Sequence, residues 1–216
     1  MEIDSKQLTT QEVRRLVKAY FALVRHRKLL AGQSVQVEAE IDRALEAWAA
    51  TVPVAKWASG VAGIIPAMAA GLAAHIDIEV APTAGCLWRF AGLDPSAVWK
   101  QGERPPWNPG LKAVCLRIGH AFAQSSGSSG DFYGKLYRQR VASEAAANNG
   151  RSEQDKLPAA HIDARARRWT VKLFLAHYHH VAWTLATGAP PVRPYVISVL
   201  GRGAHIAPPN FPGGLR

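Results

Sequence analysis

Apolar residues recur every three or four positions along most of the chain, the spacing that places them on one face of an α-helix. The first such run follows Thr9-Thr10-Gln11-Glu12, where a threonine and a glutamate can form a capping box. It runs from residue 13 towards a natural stop at Gly32, and a second run covers residues 34–50. The pattern predicts two helices joined by a glycine turn, a helical hairpin or coiled-coil arm over residues 1–52.

The same spacing predicts further helices downstream, at residues 83–91, 109–124, 131–141 and 160–186. Asn108 and Asp131 are the expected N-caps of two of them. Irregular segments are predicted where proline, serine with glycine, or polar residues accumulate, at residues 103–110, 125–130 and 148–156. No segment shows the alternation typical of a strand, so the predicted class is all-α.

One uncharged stretch, residues 57–76, has about the length that a membrane span requires. It contains Gly60, Gly63, Pro66 and Gly71, and most of its apolar residues are alanine. We therefore expect a buried glycine hairpin that leads into a small-residue helix, and no membrane partner.

The predicted organisation has three parts. An arm at residues 1–52 precedes a helical domain at 53–187, which contains a helix-hairpin-helix. Residues 188–216 are rich in proline and carry no acidic residue, which predicts an extended basic tail.

Composition adds a charge argument. The 216 residues carry 26 Lys and Arg against 16 Asp and Glu, a net charge of +10, which favours phosphate-rich partners. The two cysteines, Cys86 and Cys115, form no CxxC pair, which excludes a zinc ribbon. The polar start Met1-Glu2-Ile3-Asp4 does not look like a signal peptide, so we expect a cytoplasmic protein with reduced thiols.

The two arm helices differ in charge. No acidic residue occurs from position 13 to 37, a stretch with several Arg and Lys, whereas the second helix contains four carboxylates. Either the helices pair by charge, or the first contacts a nucleic-acid backbone. A homo-oligomer formed through residues 9–50 is the expected assembly.

Five motifs occur in a fixed order between residues 55 and 187. They are Gly63-Ile64-Ile65-Pro66 with Leu72 and Ile76-Asp77; Leu87-Trp88-Arg89-Phe90-Ala91-Gly92-Leu93-Asp94-Pro95; Asn108 with Leu111-Lys112; Phe132-Tyr133 with Leu136; and His161 with residues 164–175. This order resembles the C-terminal transposase domain of bridge-RNA-guided insertion-sequence transposases. The resemblance implies a DNA-binding protein of a mobile element that takes part in transposition or recombination, with RNA as an alternative ligand.

A helix-hairpin-helix grips a nucleic-acid backbone through turn amides and a helix N-terminus. The expected contacts are the hairpin turn and the basic residues of the matching segments: Gly63, Ile65, Arg89, Lys100, Arg104, Lys112, Arg165, Arg167, Arg168 and Lys172. Four tryptophans accompany them, Trp88, Trp99, Trp107 and Trp169. These rings either stack on bases or fill the helical core.

The chain also departs from the family. The family's ribonuclease-H-like domain, with its acidic metal ligands, has no counterpart in the residues before the hairpin. Ile65 stands where the family has its second hairpin glycine, and Gln101 stands where a serine nucleophile is expected. Ser96 is a substitute nucleophile, or a turn residue after Asp94-Pro95. Enzymatic activity is therefore left open. The alternatives are a non-catalytic accessory factor or repressor, and a helical protein-interaction module.

Two histidines are candidate metal ligands. His177 and His180 share a helix face, which permits a metal site, but the same helix carries arginines that repel a cation. Packing or phosphate contact is the favoured interpretation, and we expect no metal or cofactor in this chain. His75, near Asp77, is interpreted as a partner of the helix dipole.

Overall fold

A computed structural model describes residues 8–26, 33–100, 102–125, 127, 130–192 and 206–211. It contains α-helices at Thr10–His26 (α1), Gln33–Thr51 (α2), Pro53–Ser59 (α3), Pro66–His75 (α4), Ala84–Phe90 (α5), Pro109–Gln124 (α6), Phe132–Asn149 (α7) and Ala159–Thr187 (α8). A short 3₁₀ turn covers Glu153–Asp155. No strand occurs in these ranges, so the all-α prediction is confirmed.

Local signals explain several helix starts. Before α1, the Thr9 N–H donates to Glu12 Oε2 at 2.8 Å and the Glu12 N–H to Thr9 Oγ1 at 3.3 Å, which is the predicted capping box. Asn108 caps α6 by accepting a hydrogen bond from the Leu111 N–H at 3.0 Å. Proline opens α3, α4 and α6, where its missing N–H leaves no helix bond unmade.

The small-residue helix α4 lies at the centre of one end of the molecule. Seven of its ten residues are buried, among them Gly71 and Leu72. A Cβ on Gly71 would lie 3.0 Å from Val114 of α6 and 3.3 Å from Val17 of α1, so three helices meet closely there. The predicted buried helix is therefore present, surrounded by α1, α2, α3 and α6.

The predicted arm packs against the rest of the chain. Val13 and Val17 of α1 and Leu45 of α2 are buried in the same core as α4, and the Arg14 guanidinium donates to the Ala74 carbonyl. The apolar faces of α1 and α2 are thus used within the chain. Assembly through residues 9–50 stays a prediction, and the predicted stop at Gly32 lies outside the described residues.

Aromatic rings fill the other end, around the long helix α8. Phe174 lies at the centre, with ring centroids 5.3 Å from Tyr133, 5.5 Å from Phe122 and 6.0 Å from Trp57. One turn earlier in α8, Val171 packs on Gly119 of α6. A Cβ on Gly119 would lie 3.1 Å from the Val171 side chain. These contacts join α3, α6, α7 and α8 into one apolar core.

Two segments differ from expectation. α7 continues to Asn149, beyond the predicted end near residue 141, and the 3₁₀ turn lies in the segment at residues 148–156 that is predicted to be irregular. In the predicted tail, residues 206–211 lie against the helices. The Trp57 indole donates to the Pro209 carbonyl at 2.9 Å, and His177 Nε2 donates to the Ile206 carbonyl at 2.8 Å. The rest of the tail after residue 192 lies outside the described residues.

Every helix in the described ranges falls short of the length or the hydropathy that a bilayer span demands.

Candidate nucleic-acid interface

A cleft of about 690 Å³ opens between α5, α8 and residues 94, 95 and 106. Its walls combine apolar, aromatic and charged side chains. The lining residues that matter for its chemistry are Cys86, Trp88, Arg89, Phe90, Asp94 and Lys172. Three of the residues predicted from the sequence to contact nucleic acid or stack on it therefore come together here: Trp88, Arg89 and Lys172.

α5 is held against α8 by a pair of contacts between two residues. The Trp88 indole N–H donates to the Lys172 carbonyl at 2.8 Å, and the Lys172 ammonium lies 4.3 Å from the centre of the Trp88 ring. A cation over an aromatic face is attracted by the ring's negative centre. Trp88 thus positions Lys172 at the cleft, and one face of its ring is already covered.

A second tryptophan–lysine pair lies beside the cleft. The Lys112 ammonium lies 3.8 Å from the Trp107 ring centre, and Trp107 packs on Gly92. Gly92 has φ +66°, and a Cβ there would lie 2.7 Å from the Trp107 ring, so glycine is required on both grounds. Trp107 is therefore a packing residue. Its neighbour Trp99 remains 40% exposed and donates its indole N–H to the Glu103 carbonyl at 2.9 Å.

Several of the predicted cations lie at the surface. Among the described residues, Arg89 is the one of them with a carboxylate partner: its side chain is 75% exposed, and its Nε lies 3.6 Å from Asp94 Oδ2, a long ion pair. Lys100 and Arg104 are exposed in the adjoining segment, and Arg168 is exposed one turn before Lys172 on α8. Because residues four apart share a helix face, Arg168 extends the positive charge of the cleft along α8.

Two of the predicted arginines are engaged in ion pairs. Arg165 Nε lies 2.9 Å from Glu144 of α7, which Arg140 also contacts. Arg167 contacts Asp163 on its own helix, and its guanidinium is 2.8 Å from the His120 ring. Burial works to raise the pKa of Glu144, but Arg140 and Arg165 lower it on balance, so the carboxylate is ionised and pairs with both guanidinium groups. Of the predicted contacts Arg165, Arg167 and Arg168, Arg168 is the one without a carboxylate partner among the described residues and is therefore available to a phosphate.

Ser96 belongs to a turn closed by Asp94. Asp94 Oδ1 accepts hydrogen bonds from the Ser96 backbone N–H at 3.0 Å and from its hydroxyl at 2.8 Å. These bonds, and more weakly Arg89, hold the pKa of Asp94 below its usual range. A carboxylate with a low pKa is a weak base, so this geometry gives the serine no activation. Its role as a nucleophile stays a prediction, and Gln101 lies outside the described residues.

The predicted hairpin turn lies apart from the cleft. Gly63 has φ +91°, and a Cβ there would lie 3.2 Å from Ser125 Oγ and 3.3 Å from the Ala121 carbonyl. The turn therefore faces the C-terminal end of α6, while Ile65 at the start of α4 is exposed. The assignment as a backbone-gripping helix-hairpin-helix stays a prediction.

Two histidines of α8, His177 and His179, are packing residues. His177 is buried; its Nδ1 accepts a hydrogen bond from the Tyr133 hydroxyl at 2.7 Å, since its Nε2 donates to a carbonyl. His179 is also buried and donates to the Ala81 carbonyl at 2.8 Å. Across the described ranges, no three His, Cys, Asp or Glu side chains gather as they would around a metal ion.

His75 does not act as a charged partner of the helix dipole. Burial, assisted by the nearby Arg14, lowers the pKa of His75 to about 4, so the ring is neutral at pH 7. Its Nδ1 lies 3.3 Å from the Asn108 amide nitrogen, and a Cβ on Gly110 would come within 2.8 Å of the ring. The histidine instead joins the end of α4 to the start of α6.

Sequence reasoning missed two residues of the cleft, Phe90 and Cys86. Phe90 is 41% exposed at the end of α5, and Cys86 is exposed one turn earlier, 3.3 Å from Thr83 Oγ1. Both lie in or beside the motif at residues 87–95. The available sequence signal was an aromatic residue directly after Arg89.

Comparison with known proteins adds no relative: no family model matches the chain, and no curated protein or solved structure matches it significantly.

Proposed function

We propose that the chain binds nucleic acid, DNA first, along a basic face formed by cations of α5, of positions 100 and 104, and of α8. In the organism this would serve a mobile element, with the chain as a relative of the transposase domain described above. The basic face consists of Arg89, Lys100, Arg104, Arg168 and Lys172.

The observation that carries the proposal is the uncompensated charge on α8. Arg168 and Lys172 are four residues apart, and no acidic residue follows Asp163 anywhere in the sequence. Like charges at this spacing destabilise a helix by about 0.2–0.5 kcal/mol. A polyanion that lies across the row removes this repulsion and gains from releasing its own counterions.

A binding experiment over a range of salt concentrations tests the proposal. Duplex DNA, single-stranded DNA and a structured RNA are titrated with the wild type and with a double variant, Arg89→Ala with Arg168→Ala. Each lost phosphate contact lowers the slope of log affinity against log salt by about 1. We expect the double variant to bind at least about tenfold more weakly, with a slope smaller by about 2.

The matched control is Arg43→Ala with Arg151→Ala, which removes two exposed charges from α2 and from the segment after α7. Its affinity is expected to stay within about twofold of the wild type. An equal loss in both variants would show that net charge alone attracts the ligand and that there is no interface. Absence of binding to all three ligands would favour the protein-interaction module.

The geometry at Ser96 favours a second candidate, a non-catalytic accessory factor or repressor. The serine hydroxyl donates to an ionised Asp94, which gives it a structural role in the turn. We expect no strand cleavage or strand transfer by this chain alone. Activity that disappears in Ser96→Ala while nucleic-acid binding is kept would overturn this candidate and establish Ser96 as the nucleophile.

A further inference from the structure

The cleft offers an aromatic surface close to positive charge. Trp88 is half-buried, its indole N–H is bonded to the Lys172 carbonyl and one ring face is covered by the Lys172 ammonium, so Phe90, 41% exposed at the end of the same helix, is the more accessible ring for stacking. Pro95 and Pro106 also line the cleft. Arg89 and Lys172 bring two cations to the same space. The cleft's one carboxylate, Asp94, accepts hydrogen bonds from Ser96 through Oδ1 and forms the long ion pair with Arg89 through Oδ2, which leaves further N–H donors of the exposed Arg89 guanidinium for a phosphate.

Size narrows the choice of ligand. A cleft of about 690 Å³ is within the 300–1,000 Å³ typical of small-ligand pockets. A base pair inside a duplex does not present a free ring face, whereas an unpaired base does, and it can be splayed away from its neighbours. An aromatic wall flanked by cations suits a flat ring that carries a phosphate on one side.

Resting on the proposed function, we propose that the cleft takes one unpaired nucleobase, stacked on Phe90, with its adjoining phosphate held by Arg89 and Lys172. The basic face then carries the strand on either side of this base. The chain therefore prefers single-stranded or locally opened nucleic acid to an intact duplex.

Cys86 supplies a direct test, because it lines the cleft and its thiol is exposed. Cys115 is fully buried in α6, and burial raises the pKa of its thiol to about 12, so it does not react in the folded protein. The alkylation rate of native wild type by N-ethylmaleimide thus reports on the cleft alone. No substitution is needed, and folding is not disturbed.

The rate is measured with saturating single-stranded oligothymidine, with the same strand made abasic, and with a duplex. Saturation is verified by fluorescence anisotropy in the same buffer. We expect oligothymidine to slow alkylation of Cys86 at least about tenfold, and the abasic strand and the duplex to slow it far less.

Paired variants test the aromatic wall. Phe90→Ala is expected to lower the affinity for oligothymidine about tenfold and to reduce the preference for single strand over duplex. The control Leu185→Ala removes an equally exposed apolar side chain from the far end of α8 and is expected to leave both affinities unchanged.

Each of the other possible results overturns one part of the proposal. Saturated binding of oligothymidine that leaves Cys86 unprotected overturns the cleft as the site, while the basic face stands. Equal protection by the abasic strand shows that phosphate alone enters, which overturns the stacked base. A lack of binding to every nucleic acid overturns the proposed function itself.

Discussion

The two halves of α8 belong to one helix but lie in different surroundings. Residues 159–172, the arginine half, carry Asp163, three arginines and Lys172 and border the cleft. Residues 173–187, the histidine half, carry no charged residue and bury His177 and His179. The arginine half interacts through ion pairs and exposed cations, and the histidine half through rings and hydrogen bonds to carbonyls.

The two halves of α8 should therefore respond to different solution conditions. Salt screens charges at the surface over about 10 Å at 0.1 M, so it acts on the arginine half. A buried neutral histidine resists protonation, so acid acts on the histidine half. Stability and binding can therefore be altered separately within one helix.

The largest effect is expected from Phe174→Ala at the start of the histidine half. Phe174 is fully buried between Trp57, Phe122 and Tyr133, so its loss leaves a cavity that the neighbouring rings cannot fill. We expect the free energy of unfolding to fall by about 3–5 kcal/mol, measured by urea denaturation. Leu185→Ala, which removes an exposed side chain from the same half, is the control. An equally large loss of stability in that variant would contradict the assignment of Phe174 to the core that stabilises the histidine half.

An intermediate effect is expected from Glu144→Gln, which frees Arg140 and Arg165 on the side of the arginine half. The variant should lose about 1–2 kcal/mol of stability, since a charge-assisted hydrogen bond is removed at partly exposed arginines. Its affinity for single-stranded DNA should rise about threefold, because two cations lose their carboxylate.

Glu153→Gln makes the same change of charge in the exposed 3₁₀ turn, where the partner is Lys156. It should alter stability by less than about 0.5 kcal/mol. If both variants raised the affinity equally, net charge would explain the gain and the Glu144 pairs would be irrelevant to binding.

The smallest effect is a pH dependence carried by His179. Burial lowers the pKa of His179, while its hydrogen bond to Ala81 works in the opposite direction. The unfolded chain therefore binds a proton more readily, near pH 6.5, than the folded one does. The stability from the neutral ring is fully present above that pH and is lost as the pH falls towards the lowered pKa of the folded state.

His179→Gln keeps a donor for Ala81 and cannot be protonated. From pH 7 to pH 5 its melting temperature should fall a few degrees less than that of the wild type. His161→Gln, at an exposed position, should follow the wild type. Parallel curves for wild type and His179→Gln would show that protonation of the buried ring does not limit stability.

Local chemistry made much of the fold predictable. The capping box at Thr9, the Asn108 cap and the apolar spacing of α6 and α8 act within one or two helical turns, and the structure contains all of them. Asp131 begins α7 as predicted, but its carboxylate bonds the Gly127 N–H and Arg138 instead of capping the helix.

The candidate site was less predictable, because its properties depend on residues far apart in the sequence. Nothing near Arg165 in the sequence shows that Glu144 will neutralise it, and the contact between Trp88 and Lys172 joins residues 84 positions apart. The sequence indicated which cations were candidates. Which of these cations form ion pairs and which stay exposed depends on how α5 and α7 pack on α8.

The docking of residues 206–211 has a consequence for the order of events during synthesis. The indole of Trp57 bonds a carbonyl 152 residues later in the chain. At about 5–20 residues per second, a ribosome adds that residue roughly 8 to 30 s after the tryptophan. Until then, the side of α3 and α8 that this segment covers stays open in the nascent protein, available to a chaperone or to a neighbouring chain.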